Sequence, residues 1–547
     1  MKKTFFELIA DIQKDLDLSK DIPENKENNE IPKDTIDKYN NFKKWLDENG
    51  AIYPKLSLPV KFSNIIGCQA AEDINQNSCI FYIPYKLLID ASNVKIDYIP
   101  KSLKNNNTIK LVLFLLEEYE KKEKSFYKPY IDIILLNDYS NYTPFWSKDD
   151  CLDLNNDMVE DNINYYISEI TDYYQEIFEK NDRKCDFILF KLFYVFVFSR
   201  QFNIGDNKMF LIPLADLLNH SPYADIKYEF LDSKNFIMKY TSDFNDNNNL
   251  SKDIMTNNLQ KYTDISDFFK NNKKNNIIKD SNEIKPINVN ELDDDDDEKK
   301  YELTNDDYFV ISTNSQEFKK GSQVFNNYGI CSNEYLLVNL GFCLLDNPAD
   351  KTRVILSFSK AEEKLKQYLI NNYMQDCLNK KTYNREKVIY IRLYIKRNKI
   401  ATKILNILRY NVYGDKKKFD KKKEIECYKN YVEFIEKNIS ARNYSQFKLI
   451  NDVKEKIYKK GISNDNRFNI AVFKLTQKLN LIYQKEVMNN MITILKSDSK
   501  NEIKKYEDFI RCVQNSDKIK SIYLKVEDIK TMIINYLFKM INRKNNK

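Results

Sequence analysis

The 547-residue sequence predicts an α+β fold: short β-sheets with a helical region inserted among them, followed by an all-α C-terminal part. Three observations predict it. Across residues 74–89, a short β-type run (Cys79, Ile80, Phe81, Tyr82, Ile83) stops at Pro84, as small strands do. Residues 109–119 and 187–198 repeat apolar side chains at helical spacing, which predicts buried helices in an insertion over about residues 100–200. Beyond Asp350 the apolar positions fall three and four apart in residues 401–408, 428–435 and 470–481, so a helical domain is predicted over residues 351–547.

Taken in chain order, the opening MKKTFFELIADIQKDL carries Glu7 and Asp11 where a secretion signal needs an unbroken apolar core, and is expected to be an amphipathic helix. Residues 1–35 as a whole read as a flexible N-terminal segment. A first domain is predicted over residues 36–350, beginning at the amphipathic segment with Phe42, Trp45 and Leu46. Within it, residues 241–302 turn to Asn, Asp, Lys and Ser and end in the acidic run from Asp293 to Asp297. Such a segment cannot bury enough surface to offset its chain entropy, so a disordered loop insertion is expected, either solvated filler or a stretch that folds on a partner. Lys-rich stretches such as residues 416–423 read as solvated loops.

Composition narrows the function classes. The formal charge of +6 is a small difference between 87 basic and 81 acidic residues, and no basic patch is clustered, so nucleic acid is not an expected partner. A scaffold resting on Lys and Tyr abundance alone lacks a stacking groove. The longest apolar runs, residues 111–116 and 192–198, fall far short of the roughly 20 residues a bilayer span needs, and no membrane association is expected. Nine cysteines are scattered without a C-x-x-C pair, which fits reduced thiols in the cytoplasm or nucleus and predicts no metal site. A monomer is expected.

The chain holds a single histidine, His220, in Leu211-Ile212-Pro213-Leu214-Ala215-Asp216-Leu217-Leu218-Asn219-His220-Ser221. This rules out a metal site with two or more His ligands and a phosphorelay, neither of which has the partners it needs. About a hundred residues on, Gln323-Val324-Phe325-Asn326-Asn327-Tyr328-Gly329 reads as a short strand that delivers a phenol to a bend, where it can face a cleft. Each motif alone has a bland alternative: a packed histidine, and one packing aromatic among 38 tyrosines.

Together the two motifs resemble the SET domain, in the subfamily of the Rubisco large-subunit lysine methyltransferase and the actin-histidine methyltransferase. The resemblance runs in order through Trp45-Leu46 with Gly50; Ile65-Ile66-Gly67-Cys68-Gln69-Ala70; Asp73-Ile74; Ile83-Pro84; Pro129-Tyr130; Ser199-Arg200; residues 213–221; and residues 328–342. It implies a pseudoknot of short β-sheets binding S-adenosylmethionine, followed by a helical substrate-binding domain that resembles the family's most around residues 463–483. By that likeness Asn64, Ile65, Ile66 and Gly67 would wrap the methionine part of the cofactor, and Arg200 would pair with its carboxylate. Asn219 and His220 would meet its adenine and ribose, with Leu340, Gly341 and Phe342 closing the pocket. Asp216, Tyr228 and Leu340 would line the substrate channel, and Tyr328 would orient the incoming nitrogen as the catalytic residue. The implied partner is a protein substrate.

The sequence departs from the family at four places. Leu340 stands where lysine methyltransferases of this group often carry a second tyrosine. Phe202 stands where the histidine-modifying enzyme has an asparagine, and Ala215 where it has a tryptophan. Lysine is therefore the favoured target and histidine the alternative. Ile65 replaces the first glycine of the usual Gly-x-Gly-Leu, and a β-branched residue cannot take a positive φ without strain. That leaves a catalytically silent SET-fold binding protein as a further alternative.

Overall fold

The computed structural model describes residues 31–496 apart from 63–64, 182, 205–207, 233–234, 236–238, 240–302, 305–306, 346, 360–362, 377–387, 397–399, 415–419 and 443–465. The amphipathic N-terminal helix and the loop insertion expected over 241–302 therefore lie outside the described residues. In chain order the elements are α1 (Lys33–Glu48), β1 (Leu56–Phe62), β2 (Ile65–Ala70), β3 (Cys79–Pro84), β4 (Ile89–Asp90), α2 (Asn107–Glu120), α3 (Lys128–Ile134), α4 (Lys148–Leu154), α5 (Asp157–Tyr174) and α6 (Phe187–Arg200). There follow β5 (Phe202–Ile204), β6 (Lys208–Leu211), β7 (Asn219–His220), β8 (Ile226–Asp232), β9 (Asp307–Thr313), β10 (Gln323–Asn326), β11 (Lys351–Ser359), α7 (Glu363–Tyr373), β12 (Val388–Lys396), α8 (Thr402–Tyr413), α9 (Lys421–Ala441) and α10 (Asn466–Lys496). The class is α+β.

The described residues divide into two compact units, one built from residues 31–139 and 164–329, the other from residues 140–163 and 330–496. Three small sheets make the frame of the first unit: β1-β2-β10-β7, β3-β9-β8 and β4-β6-β5. Strand β3 is buried along its whole length, as its unbroken apolar run requires. Helix α1 places Tyr39, Phe42, Trp45 and Leu46 on one buried face. Helix α6 starts at Asp186, whose carboxylate accepts from the Leu189 amide, and ends with Arg200 in its last turn, where a cation suits the helix dipole.

In the second unit the C-terminal part differs from the all-α expectation. It opens with an antiparallel pair, β11 against β12, registered from Lys351↔Lys396 to Ser359↔Val388. Residues 389–396 alternate strictly, with Ile389, Ile391, Leu393 and Ile395 buried and Tyr390, Arg392, Tyr394 and Lys396 exposed, which is strand period rather than helical period. Helices α8, α9 and α10 do follow the predicted apolar spacing, and their buried residues form one core with the inner face of the pair.

Helix α10 carries a buried polar stripe as well. Asn469 is 2% exposed; its Oδ1 accepts from the Cys343 amide at 3.0 Å and its Nδ2 donates to the Gly341 carbonyl at 3.1 Å. Asn480 donates to Asp350 at 3.0 Å and to Thr352 at 3.2 Å. Buried Asn333 donates its backbone N–H to Asp350 at 3.0 Å and is bonded through its side chain to Leu344 and Thr476. Segment 333–350 is thus wired to α10 by side-chain amides that leave its irregular backbone satisfied.

Candidate active site

Strand β10 is the hub of the first unit. Its Gln323 and Val324 pair antiparallel with Gln69 and Cys68 of β2, while its Phe325 and Asn326 pair in parallel with Asn219 and His220 of β7. A parallel pairing cannot be made by a tight turn, so segments a hundred residues apart are brought together only by the fold. Two residues beyond β10, Tyr328 donates its backbone N–H to His220 Nδ1 at 3.1 Å and its hydroxyl to the Leu218 carbonyl at 2.8 Å. The two rings stack with centroids 4.9 Å apart.

His220 accepts at Nδ1, and burial pushes its pKa down to about 4, a backbone hydrogen bond with Asn326 opposing the shift in part. It is a neutral imidazole at pH 7. Asn219 donates through Nδ2 to the Ile66 carbonyl at 3.2 Å, tying β7 to β2. Gly67 faces this amide: a Cβ there would lie 2.7 Å from Asn219 Nδ2 and 2.7 Å from Gln323 Nε2.

Asp216 follows a strained turn. Leu214, fully buried, has φ +78° and ψ −47°, close to the rare γ-turn conformation. The Asp216 carboxyl is 4% exposed, and burial raises its pKa to about 6 against the pull of Arg200, Tyr130 and the backbone amides of Asp216 and Leu214. Tyr130 donates to its Oδ2 at 2.8 Å, whereas Oδ1 has no partner at hydrogen-bonding geometry among the described residues. Arg200 donates to the Asp216 backbone carbonyl.

Tyr130 escaped sequence reasoning as a site residue. It is fully buried, stacked 6.2 Å from Phe42 and edge-on 6.0 Å from Phe196, and the carboxylate beside it adds to burial in raising its pKa well above the ordinary phenol value. Only the Pro129-Tyr130 pair at the start of α3 marks it, and nothing in that pair indicates Asp216, 86 residues on. Gln323 Nε2, like Asp216 Oδ1, is a buried atom without a hydrogen-bond partner among the described residues, and it lies beside Gly67.

The remaining predicted residues fall as follows. Ile65, Ile66 and Gly67 lie on β2; Asn64 lies outside the described residues. Ile65 pairs with Phe62 and is in strand conformation, so the positive φ that would strain a β-branched residue does not arise. Tyr228 spends its hydroxyl on Asn326 Oδ1 and stacks on Phe309, with Phe202 edge-on at 5.9 Å. It braces the strand leading to Tyr328. Leu340, Gly341 and Phe342 belong to the other unit, where Gly341 (φ +74°) ends a π-turn at Leu336–Leu340; a Cβ there would meet the Asn141 carbonyl oxygen at 2.8 Å. Among the described residues, no three His, Cys, Asp or Glu side chains converge as a metal site, and no helix is long and apolar enough to cross a membrane.

A four-stranded sheet that brings an Asn-His segment beside a Tyr-Gly segment, with an inserted helical region and a C-terminal helical part, is the SET-domain fold as the lysine methyltransferases of the Rubisco large-subunit kind carry it. The structure resembles the SET domain of LSMT bound to lysine and AdoHcy, with a TM-score of 0.53, 16% identity, and coverage of 89% of this chain and 99% of that one. Rubisco LSMT bound to sinefungin and monomethyllysine gives a TM-score of 0.51 at 16% identity, with the same coverage. In sequence, the chain is 30% identical over 199 residues to the chloroplastic fructose-bisphosphate aldolase-lysine N-methyltransferase of Arabidopsis thaliana. That match covers 33% of this chain and spans 39% of the relative's length. No protein-family model matches the sequence.

Proposed function

We propose that this chain transfers the methyl group of S-adenosylmethionine to the side-chain amine of a lysine in a protein. The observation that carries it is the placement of Tyr328 against Asn219-His220 by the parallel pairing of β7 and β10. The residues present fit the cofactor. A substituent at Gly67 would run into Asn219 and Gln323, so only a bare residue lets these two side chains close on β2, where Asn219 is held for the cofactor. Among the described residues Gln323 Nε2 and Asp216 Oδ1 are buried atoms lacking hydrogen-bond partners, one a donor and the other an acceptor, as the carboxylate and ammonium of an amino-acid moiety would require. On this reading Ile65, Ile66 and Gly67 hold the methionine part, Arg200 serves its carboxylate, and Asn219 and His220 serve the adenosine.

When bound, the cofactor supplies a sulfonium methyl that a neutral amine displaces in line. The task left to the protein is positioning and exclusion of water. A lysine near pKa 10.4 must lose its proton first, and the aromatic wall of Phe202, Tyr228 and Phe309 favours the neutral form by penalising the ammonium. Because Tyr328 commits its proton to the Leu218 carbonyl, its oxygen meets the substrate as an acceptor. It can take an amine N–H and leave the nitrogen lone pair pointing at the methyl. A phenol is ordinarily far too weakly acidic for its phenolate to serve as a general base at neutral pH. The relatives' substrates and ligands, lysine and monomethyllysine among them, support lysine as the target.

The test is incubation of the purified protein with radiolabelled S-adenosylmethionine and cell extract, followed by hydrolysis and amino-acid analysis. Label in methyllysine, lost in Tyr328→Phe and Asn219→Ala, is the expected outcome. Full labelling by both variants, or label in methylhistidine alone, overturns it.

A further inference from the structure

We propose that the outer face of the β11–β12 pair docks an acidic segment of a partner protein. The inner face is committed to the core: Val354, Ile391 and Ile395 are fully buried. The outer face carries Tyr390, Arg392, Tyr394 and Lys396 from one strand and Lys351 from the other, with Tyr390 40% and Tyr394 41% exposed. Neither strand contains an Asp or Glu. Arg353 also points outward, but it is buried against Glu334 and donates to the Met158 carbonyl at 3.3 Å, so its charge is internally compensated. Lys351, Arg392 and Lys396 have no ion-pair partner among the described residues.

Geometry and charge together select the occupant. Arg392 and Lys396 lie four residues apart on one face of a strand, about 13 Å at 3.3 Å per residue, and an extended peptide with carboxylates at alternate positions repeats that spacing. Arg supplies a planar fork for carboxylate and Lys a compact charge. A single nucleic-acid strand would instead need open aromatic faces. Here the Lys351 ammonium sits 4.5 Å from the centroid of the Tyr394 ring, so that ring is already covered by a cation. On the reading above, the methyl acceptor would then be a protein with an acidic stretch, but docking itself needs neither cofactor nor catalysis and is measured without them.

The test uses the full chain and fluorescence anisotropy with a labelled decapeptide of alternating glutamate and serine. Binding is expected, weakening about tenfold or more in the Arg392→Glu, Lys396→Glu double variant and on raising salt from about 50 to 500 mM, with no binding of the glutamine-for-glutamate peptide. The milder Arg392→Gln, Lys396→Gln pair should weaken binding to a lesser degree with an unchanged melting temperature. A control of equal charge change on α9, Lys429→Glu with Lys437→Glu, should leave affinity alone. Affinity unchanged in the double variants, loss equal to that of the control, or tighter binding of oligodeoxythymidylate at the same residues would overturn the proposal.

Discussion

The backbone amide of Tyr328 donates to Nδ1 of His220, and the two rings stack within 5 Å centroid to centroid, so the only imidazole in the chain holds the phenol that the proposed chemistry uses. The arrangement needs a neutral imidazole, because a proton on Nδ1 would abolish the acceptor. Protonation and the Tyr328 geometry are therefore coupled.

That coupling can be read directly, since a protein with one histidine gives one imidazole resonance. Its NMR titration midpoint should lie near 4, well below the usual 6.5. Between those values the unfolded chain binds a proton that the folded chain does not. The contribution of His220 to stability is thus complete above about pH 6.5 and is lost as pH falls towards 4. A midpoint at 6.5 would contradict the burial that sets it.

Asp216 titrates with the opposite sign. Its folded pKa is raised to about 6 from 3.8, so ionising it in the fold costs stability that grows as pH rises through that window. Above pH 6, Asp216→Asn should raise the unfolding free energy by at most about 3 kcal/mol, and the gain should vanish below pH 4. Methyl transfer should fall with it. A variant less stable at pH 8 than the parent would show that the carboxylate is better compensated than its unpaired Oδ1 implies.

Gly67→Ala should lose cofactor binding with a modest loss of stability, about 1–3 kcal/mol, because the new methyl must displace the Asn219 and Gln323 side chains. Isothermal titration with S-adenosylhomocysteine and a urea melt separate the two effects. Unchanged affinity would place the ligand elsewhere.

In the second unit, Asn469→Ala should cost about 2–4 kcal/mol in urea denaturation, since it leaves the Cys343 amide and the Gly341 carbonyl without the buried partners they now share. Asn469→Asp, which keeps the acceptor and loses the donor, should recover only part of this.

Much of the framework was legible in the sequence, because burial imposes a period that local pattern displays. The apolar spacing of residues 109–119 and 187–198 corresponds to α2 and α6, and the run at Cys79–Pro84 to β3. The alternation in residues 389–396 is equally local, but it sits between helical stretches and its partner strand lies some forty residues earlier; the register with β11 shows it to be strand. The Asn219-His220 and Tyr328-Gly329 motifs stood out as unusual residues in unusual places.

What the chain alone determined was therefore the kind of each element and the two motifs, since these depend on neighbours a few residues away. Only tertiary structure decided that Tyr130 reaches Asp216, that Leu214 takes a strained turn, that Tyr228 braces Asn326 rather than standing free, and that Tyr328 rests on His220. Those contacts join residues 86 to 108 positions apart or answer to the packing around them, and no local period encodes such a meeting. It is made when β10 comes to lie between β2 and β7.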